Sequence, residues 1–126
     1  MKIKISFVAF LLIGALGVGI VNADDPHDMI IPMIKISPST LILSAPTQCV
    51  TVHTNIPCSL VDGSTLELSG VSPYLVKSDN RGNIVGKFHG EDVKAIVDPG
   101  PVVLDLTGVL IDGTPFTAYD VIVVKE

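Results

Sequence analysis

The sequence predicts an all-β domain, an antiparallel β-sandwich of about seven strands with one short helix near residues 90–97. Three observations lead there. Apolar and polar residues alternate with period two through most of the chain after residue 33. The apolar positions are rich in β-branched residues, and Gly, Pro, Asp and Asn break the pattern into short runs.

Taken in order, "IKIS" alternates Ile34 and Ile36 against Lys35 and Ser37, and "TLILS" follows across Pro38. "CVTVHTNI" sets Val50, Val52, Thr54 and Ile56 on one face against Thr51, His53 and Asn55 on the other. "VDGS" (Val61–Ser64) reads as a turn, and "STLELSG" resumes the two-residue period with Leu66 and Leu68. "YLVKS" and "IVGKF" are strands on either side of "DNRGN". In "GEDVKAIV" (Gly90–Val97), Val93 recurs with Ile96 or Val97 at helical spacing, and Glu91 and Asp92 occupy the first turn. That pattern fits a short helix closing one end of the domain, stopped by "DPG". "PVVLDLTGVLIDGTPFTAYDVIVV" supplies two last strands around "DGTP", where Asp112-Gly113 is a strong hairpin signal. So many short strands need two facing sheets to bury their apolar sides. A closed barrel is the other arrangement the pattern allows. With no Trp, and with only Tyr74, Phe88, Phe116 and Tyr119 as aromatics in this part, the core must be mostly Val, Leu and Ile.

The first 23 residues read as an export signal. Lys2 and Lys4 precede the uncharged run Ile5–Val21, and Val21 and Ala23 stand at the -3 and -1 positions of a cleavage site. Residues 24–33, "DDPHDMIIPM", form an acidic leader of no clear period, and residues 34–126 form the single domain. The processed chain carries all 13 acidic residues and six of the eight basic ones, a net charge of -7 rather than -5. Such a balance makes nucleic acid a poor partner. No later run is long and apolar enough to span a membrane.

Three residues are candidate metal ligands. Asp79 and Asn83 lie in "KSDNRGNIVGKF", which resembles the start of a calcium loop, and Asp112 lies in "IDGTPF". A helix-flanked calcium loop takes ligands at positions 1, 3, 5, 7, 9 and 12, with glycine at 6. Counted from Asp79, position 3 is Arg81, position 6 is Ile84 and position 12 is Gly90. Arginine at a ligand position competes with the ion, so a turn opened by Asp79 or Asn80, with positive φ at Gly82 or Asn83, is the better account. Asp112 likewise reads as turn-forming, and no cofactor is expected.

Cys49 and Cys58 are the only cysteines. If Cys49–Asn55 is one strand about 20 Å long, three more residues cannot return Cys58 to within the roughly 7 Å a disulfide requires. Either the strand breaks near "NIP" and a small disulfide loop closes, or both thiols are free; free thiols are the expectation. His53 shares Cys49's side of the strand but sits about 13 Å away, too far to act as its base. The carboxylate pairs Glu67 with Asp105, and Glu91 with Asp92, read as strand-surface and helix-start positions, and no nucleophile elbow or phosphate cradle occurs. No catalytic residue is assigned.

"ISPSTLIL", "VTVHTNIP", "VDGSTLELSGV", "KSDNRGNIVGKF", "VKAIV" and "LDLTGVLIDGTPFTAYDVIVV" together resemble an Ig-like β-sandwich module of secreted and surface proteins of bacteria and archaea. The likeness spans Ile36 to Val124 and is most specific in the closing "LTG-x-L-x-DGTPF" hairpin, from Leu106 to Phe116. It implies an Ig-like module of a secreted or surface protein and brings no established activity or catalytic residue; with the export signal, the expected location is secreted or periplasmic. Members with several aspartates in the central loop look able to hold calcium. Here Asn80, Arg81 and Asn83 stand in those places, so calcium binding is not carried over. The expectation is an exported, non-enzymatic protein that works through an edge strand or its turn-bearing end. Its partner would be a protein or another envelope component. The alternative is a weak calcium- or carbohydrate-binding module, with Tyr74 and Tyr119 as its aromatic platforms.

Overall fold

The structure, a computed structural model, describes residues 31–46 and 48–126. Contacts divide the chain between Ile31 and Pro32, and every described element lies in the unit Pro32–Glu126. The expected signal (1–23) and most of the 24–33 leader lie outside the described residues.

Two four-stranded sheets face each other. One runs β1 (Ile34–Ser37), β3 (Cys49–Pro57), β6 (Asn83–His89), β5 (Leu75–Ser78). The other runs β2 (Thr40–Ile42), β8 (Pro115–Lys125), β7 (Gly100–Leu110), β4 (Val61–Leu68). This is an Ig-like sandwich, in which all pairs are antiparallel except β2 with β8. Its eight strands agree with the expected count of about seven, the two pieces of the first run going to different sheets. Past the cis Ser37–Pro38 bond the chain leaves β3, which β1 pairs, and joins β8 through β2. Asp120 of β8 ties this crossing down, its Oδ2 accepting the Ile36 N–H at 2.8 Å.

The period-two pattern places the core. Ile36, Val50, Val52, Ile56, Ile84 and Phe88 point inward from the first sheet, and Leu41, Leu66, Leu68, Leu104, Leu106 and Ile122 from the second, all at most 2 % exposed. Among the described residues, two glycines admit the two aromatic rings of this core. A Cβ on Gly86 would lie 3.0 Å from the Phe88 ring, and one on Gly108 would lie 2.7 Å from the Phe116 ring. Leu66 approaches both glycines, so the two ring-over-glycine contacts meet at one leucine.

Thr54 is the buried polar residue among the described core positions. Its Oγ1 donates to the Ile84 carbonyl at 2.8 Å and accepts the Ile56 N–H at 3.0 Å. These bonds satisfy backbone groups where β3 and β6 shift register between His53 and Pro57.

Two local expectations need correction. "VDGS" is not a turn between strands; it begins β4 and forms the irregularity where β4 and β7 shift register between Asp62 and Glu67. Asp62 Oδ1 accepts the Ser64 N–H and Oγ–H, while Thr65 Oγ1 takes the Val109 N–H at 2.8 Å. Side chains thus replace ladder bonds, and the strand continues. The helix, α1 (Gly90–Lys94), is shorter than 90–97. Its end tightens as Ile96 N–H turns to the Val93 carbonyl, and Pro99 disfavours helix at Asp98.

Candidate functional site

The two turns that carry the candidate ligands are closed by their own carboxylates. Asp79 Oδ1 accepts the N–H groups of Arg81 (2.8 Å) and Asn83 (3.0 Å), and Gly82 takes φ +85°. Asp112 Oδ1 accepts the Thr114 N–H at 2.9 Å, with Gly113 at φ +93°. Asp79 and Asn83 therefore share one turn through a backbone bond, and Asp112 belongs to a separate hairpin. Among the described residues, no three His, Cys, Asp or Glu side chains converge as a metal site.

These bonds hold both carboxyls below the usual carboxylate range, chiefly through the Asn83 amide for Asp79 and the Thr114 amide for Asp112. A depressed folded pKa means the stabilisation is present above the ordinary value and is lost as pH falls through the lowered one. Thermal unfolding followed against pH should therefore show Tm falling below the ordinary value of 3.8. The fall should be shallower in the Asp79→Asn/Asp112→Asn double variant, whose amides can still accept the turn bonds.

Both cysteines are free. β3 runs on to Pro57, which puts Cys49 and Cys58 at opposite ends of a strand about 30 Å long. Folding brings Cys49 opposite His89 on β6, a pairing the linear spacing did not mark. Tyr74 stands between them in chemical terms. Its Oη lies 3.1 Å from Cys49 Sγ, and its ring stacks on His89 with centroids 4.3 Å apart. Partial burial pushes the Cys49 thiol up, but the Tyr74 and Thr51 hydroxyls and the Lys87 charge outweigh it and leave the pKa below its ordinary value. Alkylation with iodoacetamide at neutral pH should accordingly be slower in Tyr74→Phe than in the parent, with Cys49 the labelled position in both.

Outward side chains divide into two faces of different chemistry. The strands of the first sheet contain no Asp or Glu, and carry Lys35, Lys77, Lys87, His53 and His89. On the outer face of the second sheet stand Asp62, Glu67 and Asp105 against the single cation Lys125, while Asp120 lies on the inner side, opposite Leu104. At the centre of this outer face lies an apolar patch. Val103 (61 % exposed) pairs with Val121 (53 %), Tyr119 (67 %) follows on the same strand, and Val123 and Ile42 extend the patch toward the β2 edge.

Of the pair Glu67 and Asp105, Asp105 serves structure. Asp105 Oδ1 accepts the Ser69 hydroxyl at 2.9 Å, across the Ser69-Gly70 reversal in which both residues have positive φ. Glu67 is exposed on the same outer face. Among the described residues, no helix is long and apolar enough to cross a membrane. No family model, curated protein or solved structure matches the chain, so the finding stands at the level of the two-sheet Ig-like fold.

Proposed function

We propose that the protein is an exported, non-enzymatic binding module whose outer β7–β8 face docks a protein of the envelope or its surroundings. The observation that carries this reading is the patch formed by Val103, Tyr119, Val121, Val123 and Ile42. A sandwich already has its core between the sheets, so apolar side chains gathered on an outer face gain nothing from folding and mark a contact surface. Export rests on the basic start, apolar run and small-residue exit of residues 1–23. The likeness of the closing hairpin to secreted Ig-like modules agrees with both parts.

Replacing Tyr119 and Val121 with Thr keeps strand propensity while removing the patch. The tagged protein is to be captured from its producing cells beside this Tyr119→Thr/Val121→Thr variant. The reading predicts that at least one protein held by the parent is lost by the variant at unchanged Tm. Identical protein profiles for the two would contradict it.

A further inference from the structure

We propose that the outer face of the first sheet binds an acidic polysaccharide, with Lys35, His53 and Arg81 receiving the carboxylates of its sugar acids. This rests on the reading of the chain as a binding module, but on the opposite face from the apolar patch. Charge segregation is the first observation. Six Lys and Arg residues occur among the described positions, and four of them, Lys35, Lys77, Arg81 and Lys87, belong to this sheet or its turn; Lys94 and Lys125 lie elsewhere. In a chain of net charge -5, that concentration is a local reversal of sign.

Register then orders the cations. Lys35 pairs with His53, His53 with Val85, and Val85 with Lys77, giving a row across all four strands. Its end residues are about 14 Å apart, three strand spacings of about 4.8 Å. Val85 is only 1 % exposed yet stands outside the core between the sheets. Its register neighbours are His53 and Lys77, whose apolar stems can cover it while their polar ends stay outward. The row thus has a packed floor.

A groove opens at one end of this row, where Lys35, His53 and Arg81 meet Asp79, Asn80 and Asn83. Its floor is held by bonds already formed: Asn55 Oδ1 accepts the Met33 N–H at 2.8 Å, and Asp79 Oδ1 closes the turn. The mixture in this lining selects the ligand class. Side-chain amides both donate and accept, as sugar hydroxyls do, and the cations suit a carboxylate. Both bonds to Asp79 fall on Oδ1, so Oδ2 can accept a hydroxyl. A carboxylate inside the groove repels a densely charged phosphate chain far more than an alternation of hydroxyl and carboxylate groups. At the far end of the same face, the Tyr74–His89 stack adds a flat aromatic surface of the kind a sugar ring can lie against.

The test uses the protein as its expressing cell processes it, with polygalacturonate, methyl-esterified polygalacturonate and polyglutamate as probes at low salt. Binding to polygalacturonate is expected, with loss on esterification and affinity for polyglutamate weaker by roughly tenfold or more. The surface variant Lys35→Gln/Arg81→Gln should lose roughly tenfold for polygalacturonate at unchanged Tm, and Lys77→Gln should give a smaller loss. Tyr119→Thr/Val121→Thr should bind the polymer as the parent does. Absence of polygalacturonate binding, indifference to esterification, equal affinity for polyglutamate, or full binding by Lys35→Gln/Arg81→Gln would each overturn the proposal. None of these results bears on protein capture by the apolar face.

Discussion

Phe88→Ala is expected to destabilise the domain by about 3–5 kcal/mol, the range for a large buried aromatic. Phe88 is fully buried on the central strand β6, paired with Val50, and its ring covers Gly86 beside Leu66. With no Trp in the chain and only one other aromatic in the core, no neighbour has the reach to fill the space. The aliphatic residues around it are fixed by strand register and cannot collapse inward without shifting a sheet. In a domain of this size each kcal/mol lowers Tm by roughly 4–8 °C, so thermal unfolding should fall by more than about 10 °C. A fall of only a few degrees would show that the site collapses and that Leu66 and its neighbours pack loosely.

The second large effect is expected at Gly90, the first residue of α1. A Cβ there would overlap the Gln48 carbonyl oxygen, a backbone atom just before β3. Flexible side chains can yield to a new methyl group, but this carbonyl belongs to the segment that enters the first sheet. Gly90→Ala should therefore cost about 3 kcal/mol, the upper end for overpacking, despite its conservative chemistry. Far-ultraviolet circular dichroism should retain its β signal while the Tm falls. Gly82→Ala makes a useful comparison: no atom stands near its Cβ position, and only the positive φ opposes the change.

These two positions show what the sequence could and could not convey. Period-two alternation carried most of the fold. "CVTVHTNI" sorted Val50, Val52, Thr54 and Ile56 inward, and the structure buries all four. Asp112-Gly113 marked the last hairpin, and Asp79 with Gly82 marked a turn, because local chemistry alone decides these features. What escaped was non-local. Gly90 lies at a close approach between segments 42 residues apart, and no neighbouring residue announces it. "VDGS" has turn chemistry, but Thr65 and β7 absorb it as an irregularity within a strand. Pro38 broke the first run, yet only the second sheet showed that the two pieces join different partners.

The faces were legible in part. Net charge averaged over the chain pointed away from anionic partners and hid the fact that "IKIS", "CVTVHTNIP", "LVKS" and "NIVGKFH" contain no acid. That signal was present in the strands, but it gains meaning only once β1, β3, β6 and β5 are known to share one sheet. The apolar patch was hidden for the opposite reason. Val103, Val121 and Val123 read as ordinary strand residues, and Tyr119 as a lone aromatic platform, until topology shows their side of the sheet to be outward. Cys49 and Tyr74 are 25 residues apart, and only the pairing of β5 with β6 and of β6 with β3 brings them together.

If the sandwich acts through its outer β7–β8 face, site-specific photo-crosslinking in the producing cell will trap its partner at that patch. A photoreactive residue is to be placed singly at Val103, Tyr119 or Val121, and at the exposed acidic positions Asp62 and Glu67 of the same sheet. One discrete protein adduct is expected, shared by the three patch positions and missing from Asp62 and Glu67. The absence of any adduct from the patch, or the same adducts from all five positions, would contradict docking through that face.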